Sequence, residues 1–317
     1  MLRPFLVGAT AFAALGATAV QADTLRIVVP FAAGGAQDTI ARWYAQHMTE
    51  RSDMTVIVDN RPGAGGSLAA DEVAQADADG WTILQASGGA ITIAPHLRSL
   101  PYDPQTDFAP IALVADTPMT LGVRADSEFQ NVADVIAAAQ ADPGGVAYAS
   151  TGHTSVSHLT GALLAQEAGI ELMHVPYQGA APALTDLLGG IVPLIVTSAA
   201  SIDQMIASGD ARALVVFSPV SLANLAGVPT IEEALQAENL NSPVWGGFLA
   251  PAGTPQERLD TLSELIVEIC ELPETAARYE SLGATLTCGD AGALAQTIEA
   301  DYERWGEVIS AAGITAN

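Results

Sequence analysis

The chain has 317 residues, with 36 acidic side chains against 11 arginines and no lysine, for a formal net charge of -25 at neutral pH. Nucleic acid is excluded as a main partner, because phosphate recognition needs a basic face. At roughly 150 residues per domain the length suggests about two domains, and no window after the N-terminus holds the roughly 18 uninterrupted apolar residues of a membrane span.

The first segment, MLRPFLVGATAFAALGATAVQA (residues 1–22), has a single arginine, an apolar stretch and a small-residue ending at Val20, Gln21 and Ala22. This predicts a secretory signal cleaved near Ala22 and an exported mature chain. A membrane anchor is the competing reading, but the apolar run is short and rich in Ala and Gly.

Short β-branched runs then recur in order: LRIVVP, MTVIVDN, WTILQAS, IALVAD, GVAYAS, ELMHVPY, VPLIVTS and ARALVVF. They alternate with Ala-rich helical stretches, which predicts an α/β fold with buried sheets. The first helix should start within residues 35–38, because Ile40, Tyr44 and Met48 fall one turn apart on one face. Asp38 then lies in the first turn, where its charge favours the helix dipole.

Three segments share one pattern, a strand followed by small residues and then a helix: LRIVVPFAAGGAQDTIAR (residues 25–42), YASTGHTSVSHLTGALLAQ (148–166) and HVPYQGAAPALTDLLGG (174–190). Ser150, Thr151 and Thr154 suit a helix N-cap in the second. Free N–H groups at such helix starts attract anions, and glycine lets a ligand approach the backbone. Phosphate fits poorly, since no lysine completes a phosphate loop and the paired glycines lack dinucleotide spacing. A carboxylate fits better: at about 1.5–3 kcal/mol per charged hydrogen bond, a few backbone and hydroxyl donors hold it without an arginine.

Other stretches carry less. NRPGAGG (60–66) reads as a structural turn before the next helix, with Arg61 pairing an acid. DEVAQADADG (71–80) lacks the alternation of a calcium loop and reads as a solvated turn. The five histidines and two cysteines show no zinc spacing, so no metal or cofactor is expected; Cys270 and Cys288 can form a disulfide in an exported chain. Ser87, Ser150 and Ser155, with His153 and His158, raise the alternative of an exported serine-type hydrolase, although no G-x-S-x-G motif is present.

The stretches VVPFAAGGAQDTIAR, VDNRPGAGGSLAA, ADGWTILQAS, YASTGHTSVSHLTG and HVPYQGAAPALTDLLGG, in this order, resemble the Bug family of periplasmic solute-binding proteins of tripartite tricarboxylate transporters. The resemblance implies a two-domain Venus-flytrap fold with crossing hinge strands, closing on a small organic acid (a di-, tri- or aromatic carboxylate) that a monomer passes to membrane transporter subunits. It implies a first domain of residues 23–121 plus 248–317 and a second of 122–247, with MTLGVR and VWGGFLAP crossing between them. Carried over residue by residue, it places Phe31, Ala32, Gly34, Gly35, Ala36, Asp38 and Ser87 on one side of the ligand. Ser150, Thr151, Gly152, His153, Thr154, Ser155, Tyr177, Gly179, Ala180 and Thr197 fall on the other. Relatives often carry Asp after the strand beneath the cleft; Thr197 and Ser198 stand here instead, which favours a plain carboxylate over an amino acid. Trp245 is expected to pack at the hinge, and Trp43 and Trp305 to pack on helices.

Overall fold

Three parallel strands open the chain: β1 (Thr24–Val29) lies between β2 (Thr55–Asn60) and β3 (Thr82–Ala86). The computed structural model describes residues 24–236, 240, 242–281, 284–312 and 314, so the expected signal segment lies outside the described residues. Each early strand leads into a helix: α1 (Ala36–Arg51) follows β1, α2 (Ser67–Ala74) follows β2, and a short π-helical stretch with α3 (Ala94–Leu97) follows β3. Ile40, Tyr44 and Met48 are buried against the sheet, as their spacing predicts. Each contributes about 1.5–3 kcal/mol by leaving water.

The long strand β4 (Phe108–Arg124) crosses the molecule. Residues 108–118 pair with β9 (Pro243–Pro251), whereas residues 119–124 pair with β7 (Leu194–Ser198) and β8 (Ala211–Phe217). A second parallel trio, β5 (Ala147–Ser150) between β6 (Met173–Pro176) and β7, belongs to the far half. The strand order is β2-β1-β3-β9-β4-β7-β5-β6, with β8 and β10 (Thr285–Gly289) also paired to β4. All eight apolar runs named from the sequence become strands.

Helices cover both trios: α4 (Val132–Ala141), α5 (Val156–Glu167), α6 (Ala180–Leu188), α7 (Ala199–Ala207) and α8 (Ile231–Leu235) in the far half, then α9 (Gln256–Cys270), α10 (Pro273–Ser281) and α11 (Ala291–Ala312) after the return crossing. One core gathers Tyr44, Ile83, Phe248 and Ile266 around the first trio, and another gathers Leu121, Tyr148, Leu159 and Phe217 around the second. Trp305 of α11 is fully buried in that second core. Two α/β halves joined by crossing strands make this a two-domain periplasmic-binding-protein fold. The two cysteines form a disulfide, Cys270 to Cys288, which ties the end of α9 to β10. No helix among the described residues is long and apolar enough to cross a membrane.

Candidate functional site: a donor-lined interdomain cleft

In each parallel trio the loops after the strands face the other half, which is where open α/β sheets bind ligands. Four helices begin there. Gly35, Gly179 and Ser198, the N-caps of α1, α6 and α7, offer no side-chain cap to the first turn, so backbone donors stay uncapped; Ser155 of α5 caps the His158 N–H. These starts surround a small cavity of about 50 Å3. From the first half Phe31, Gly35, Gln37, Ser87 and Gly89 line it. The second half and the hinge add Met119, Thr151, Ser155, Val156, Ser157, Ala180, Thr197, Ser198, Ser201 and Val244, and no lining side chain is charged.

The loop after β1 is held by Asp38. Its carboxylate accepts from the Gly34 N–H at 2.9 Å, from Arg42 Nε at 3.0 Å and from Asn60 Nδ2 at 3.0 Å. Asn60 Nδ2 also donates to the Phe31 carbonyl at 3.0 Å. Burial alone raises the Asp38 pKa, but Arg42 and the other donors outweigh it and hold the group below its usual value. Gly34, at φ 90°, adopts the turn that brings its N–H to Asp38.

The loop after β5 is tied from beneath. Ser150 is fully buried, its Oγ 2.6 Å from His174 Nε2 and accepting from the Gly152 N–H at 3.2 Å. Ser157 Oγ accepts from the Thr151 N–H at 3.1 Å and donates to the Val196 carbonyl at 2.5 Å. His158 stacks on His174 with ring centres 3.9 Å apart, and His153 stands edge-on to His174 at 5.1 Å. Burial first, then the neighbouring imidazoles, lower the His158 pKa to about 4 and that of His174 to about 3. His158 Nδ1 accepts from the Thr154 N–H at 3.3 Å, which suits a neutral ring.

The two halves touch across the cleft. The Ala32 N–H donates to the Gln178 carbonyl at 2.9 Å, and a Cβ on Gly65 would lie 2.1 Å from the His153 carbonyl oxygen. A second cavity of about 220 Å3 lies at this contact, sharing Phe31 and Thr151 with the first and lined also by residues 63–66, Gly152, His153 and Tyr177. The NRPGAGG stretch is therefore more than the turn its sequence predicts. It forms cleft wall, while Arg61 pairs with Asp59 at 3.1 Å and Glu72 at 3.2 Å.

Of the residues expected at the site, Phe31, Gly35, Ser87, Thr151, Ser155, Ala180 and Thr197 line the first cavity, and Gly152, His153 and Tyr177 the second. Ala32, Gly34, Asp38, Ser150, Thr154 and Gly179 line neither and build the loops, and Ala36 opens α1. Gln37 lies inside the expected run of residues 31–38 and Ser198 beside Thr197, whereas Gly89, Met119, Val156, Ser157, Ser201 and Val244 line the cavity without having been expected there. Thr197 is fully buried and its Oγ1 has no hydrogen-bond partner among the described residues. Among the described residues no His, Cys, Asp or Glu cluster is arranged to hold a metal.

A two-domain fold closing on an uncharged, donor-rich cavity defines a periplasmic-type solute-binding protein. Residues 40–314 match the tripartite tricarboxylate transporter family receptor, and the chain belongs to that family. It is 38% identical over 290 residues to the UPF0065 protein in the tcbD-tcbE intergenic region of Pseudomonas sp. strain P51, covering 92% of this chain and 86% of that protein. The solved periplasmic binding protein BugD superposes with a TM-score of 0.88 at 34% identity, covering 92% of this chain and 98% of that one. R. palustris Rpa4515, solved with adipate, gives a TM-score of 0.88 at 31% identity with the same coverage.

Proposed function

We propose that this protein captures a small organic carboxylate between its two halves in the periplasm and hands it, as a monomer, to the membrane subunits of a tripartite tricarboxylate-type transporter. The observation that carries this reading is the convergence of four helix starts on a cavity whose lining has hydroxyls and backbone donors but no charged side chain. Four contacts of about 1.5–3 kcal/mol each total about 6–12 kcal/mol, a range that spans the roughly 8 kcal/mol of a micromolar complex, so only contacts at the stronger end also offset the cost of association. The adipate held by the similar R. palustris protein supports the same ligand class.

The proposed division is residues 23–121 plus 248–317 against 122–247, and the change of pairing partners within β4 and the return through β9 support a hinge there. Binding without covalent chemistry is part of the proposal. The closest Ser–His pair in the cleft loops, Ser150 and His174, involves a fully buried serine that lines neither cavity. Thermal shift against di-, tri- and aromatic carboxylates tests the reading, since ligand at a hundred times Kd adds about 2.7 kcal/mol of stability. A shift with sugars or cations and none with any acid would overturn it.

A further inference from the structure

Gln37 is the one side chain with a terminal amide in the wall of the first cavity, and it stands in the first turn of α1. Its partner is Gln85 on β3, fully buried beneath it, whose Nε2 donates to Gln37 Oε1. That bond leaves the two N–H groups of Gln37 without a partner among the described residues. Gln85 Oε1 is buried with no hydrogen-bond partner among the described residues, a cost that packing alone does not explain. Gln85 also sits against the hinge, with Nε2 3.7 Å from where a Cβ on Gly246 of β9 would lie.

We propose that this amide pair is a specificity element: Gln37 donates to a second carboxylate on the ligand, and Gln85 is a positioning residue that keeps the Gln37 donors turned to the cavity. This rests on the carboxylate reading above. One carboxylate binds at the helix starts of the second half, where Thr151, Ser155 and the unpartnered Thr197 hydroxyl stand. The other end of the acid then meets the first half, where Gln37 and Ser87 are the polar side chains in the wall. Because Gln37 is neutral and oriented, it favours a second carboxylate through hydrogen bonds alone, and an acid with a methyl at that end leaves the amide unsatisfied.

The test is calorimetry on the full mature protein with matched pairs of acids, succinate against butanoate and adipate against hexanoate. Gln37→Leu should weaken the preferred two-ended acid about ten- to hundredfold, while the matched one-ended acid changes less than about threefold. Gln37→Glu keeps an acceptor for Gln85 but brings negative charge to the second carboxylate, so it should bind the two-ended acid more weakly than Gln37→Leu. Gln85→Leu should lose part of the same selectivity, and the Gln37→Leu/Gln85→Leu double variant should be no worse than Gln37→Leu. Equal losses for both acids, or unchanged selectivity in folded Gln37→Leu and Gln37→Glu, would overturn the inference while leaving carboxylate capture intact. Failure of the unaltered protein to bind any of the four acids, with binding of another ligand class, would overturn both.

Discussion

Gly65→Ala tests closure of the cleft through a single methyl group. Gly65 has φ 64°, and its added Cβ would stand 2.1 Å from the His153 carbonyl and 2.7 Å from Thr154 Oγ1, both on the opposite half. Backbone strain at a left-handed position costs about 1–2 kcal/mol whether the cleft is open or shut. The clash exists only when it is shut, and relieving it requires the walls to part by roughly an ångström, beyond the tolerance of a hydrogen bond. If half of four ligand contacts are lost at about 1.5 kcal/mol each, binding weakens by about 3 kcal/mol, roughly a hundredfold. Gly209→Ala is the control, because Gly209 has φ 80° and nothing within 4 Å of an added Cβ. Calorimetry with the best-binding acid, with small-angle scattering to follow closure, should show a large loss in Gly65→Ala and none in Gly209→Ala. Equal affinity in the two variants would refute the reasoning.

Replacing Asp38 by alanine strands the Gly34 N–H and unties Arg42 and Asn60, so stability should fall by about 1–3 kcal/mol in urea melts and acid binding should weaken with it. Because the folded Asp38 pKa is lowered, its contribution is complete above the unfolded value of 3.8 and should fade as pH drops through the folded value. The depressed values of His158 and His174 act at higher pH: both rings are neutral above 6.5, and stability should decline as pH falls from 6.5 through about 4 for His158 and about 3 for His174. His158→Asn should flatten the upper part of that slope in melts across the same range. The Cys270–Cys288 bridge closes a loop of 18 residues, so the double alanine variant should lose about 3 kcal/mol, and thiol titration of the unaltered protein should find no free cysteine.

The scaffold was largely legible because its signals are local. Runs such as TLRIVV and LIVTS are too β-branched and apolar for anything but buried strands, and Gly35 marks the start of the first helix, although the N-cap of α5 is Ser155 rather than the expected Ser150, Thr151 or Thr154. The loops of the site were legible for the same reason. The direction each residue faces was not: Asp38 and Ser150 have the chemistry of ligand contacts but spend it inside the loops, on Gly34 and Gly152. Contacts between distant segments were equally hidden. Gly65 meets His153 only because two domains close, and Gln85 reaches Gln37 only because β3 lies beside β1, 48 residues away in sequence.

The central claim, a carboxylate held by helix starts without a basic side chain, is tested most directly by a crystal structure of the protein with its tightest-binding acid. A carboxylate within about 3.2 Å of first-turn N–H groups and cavity hydroxyls from both halves, with no arginine in contact, is the predicted result. An acid lying outside this cleft, or gripped within it by an arginine brought in on closure, would contradict the account.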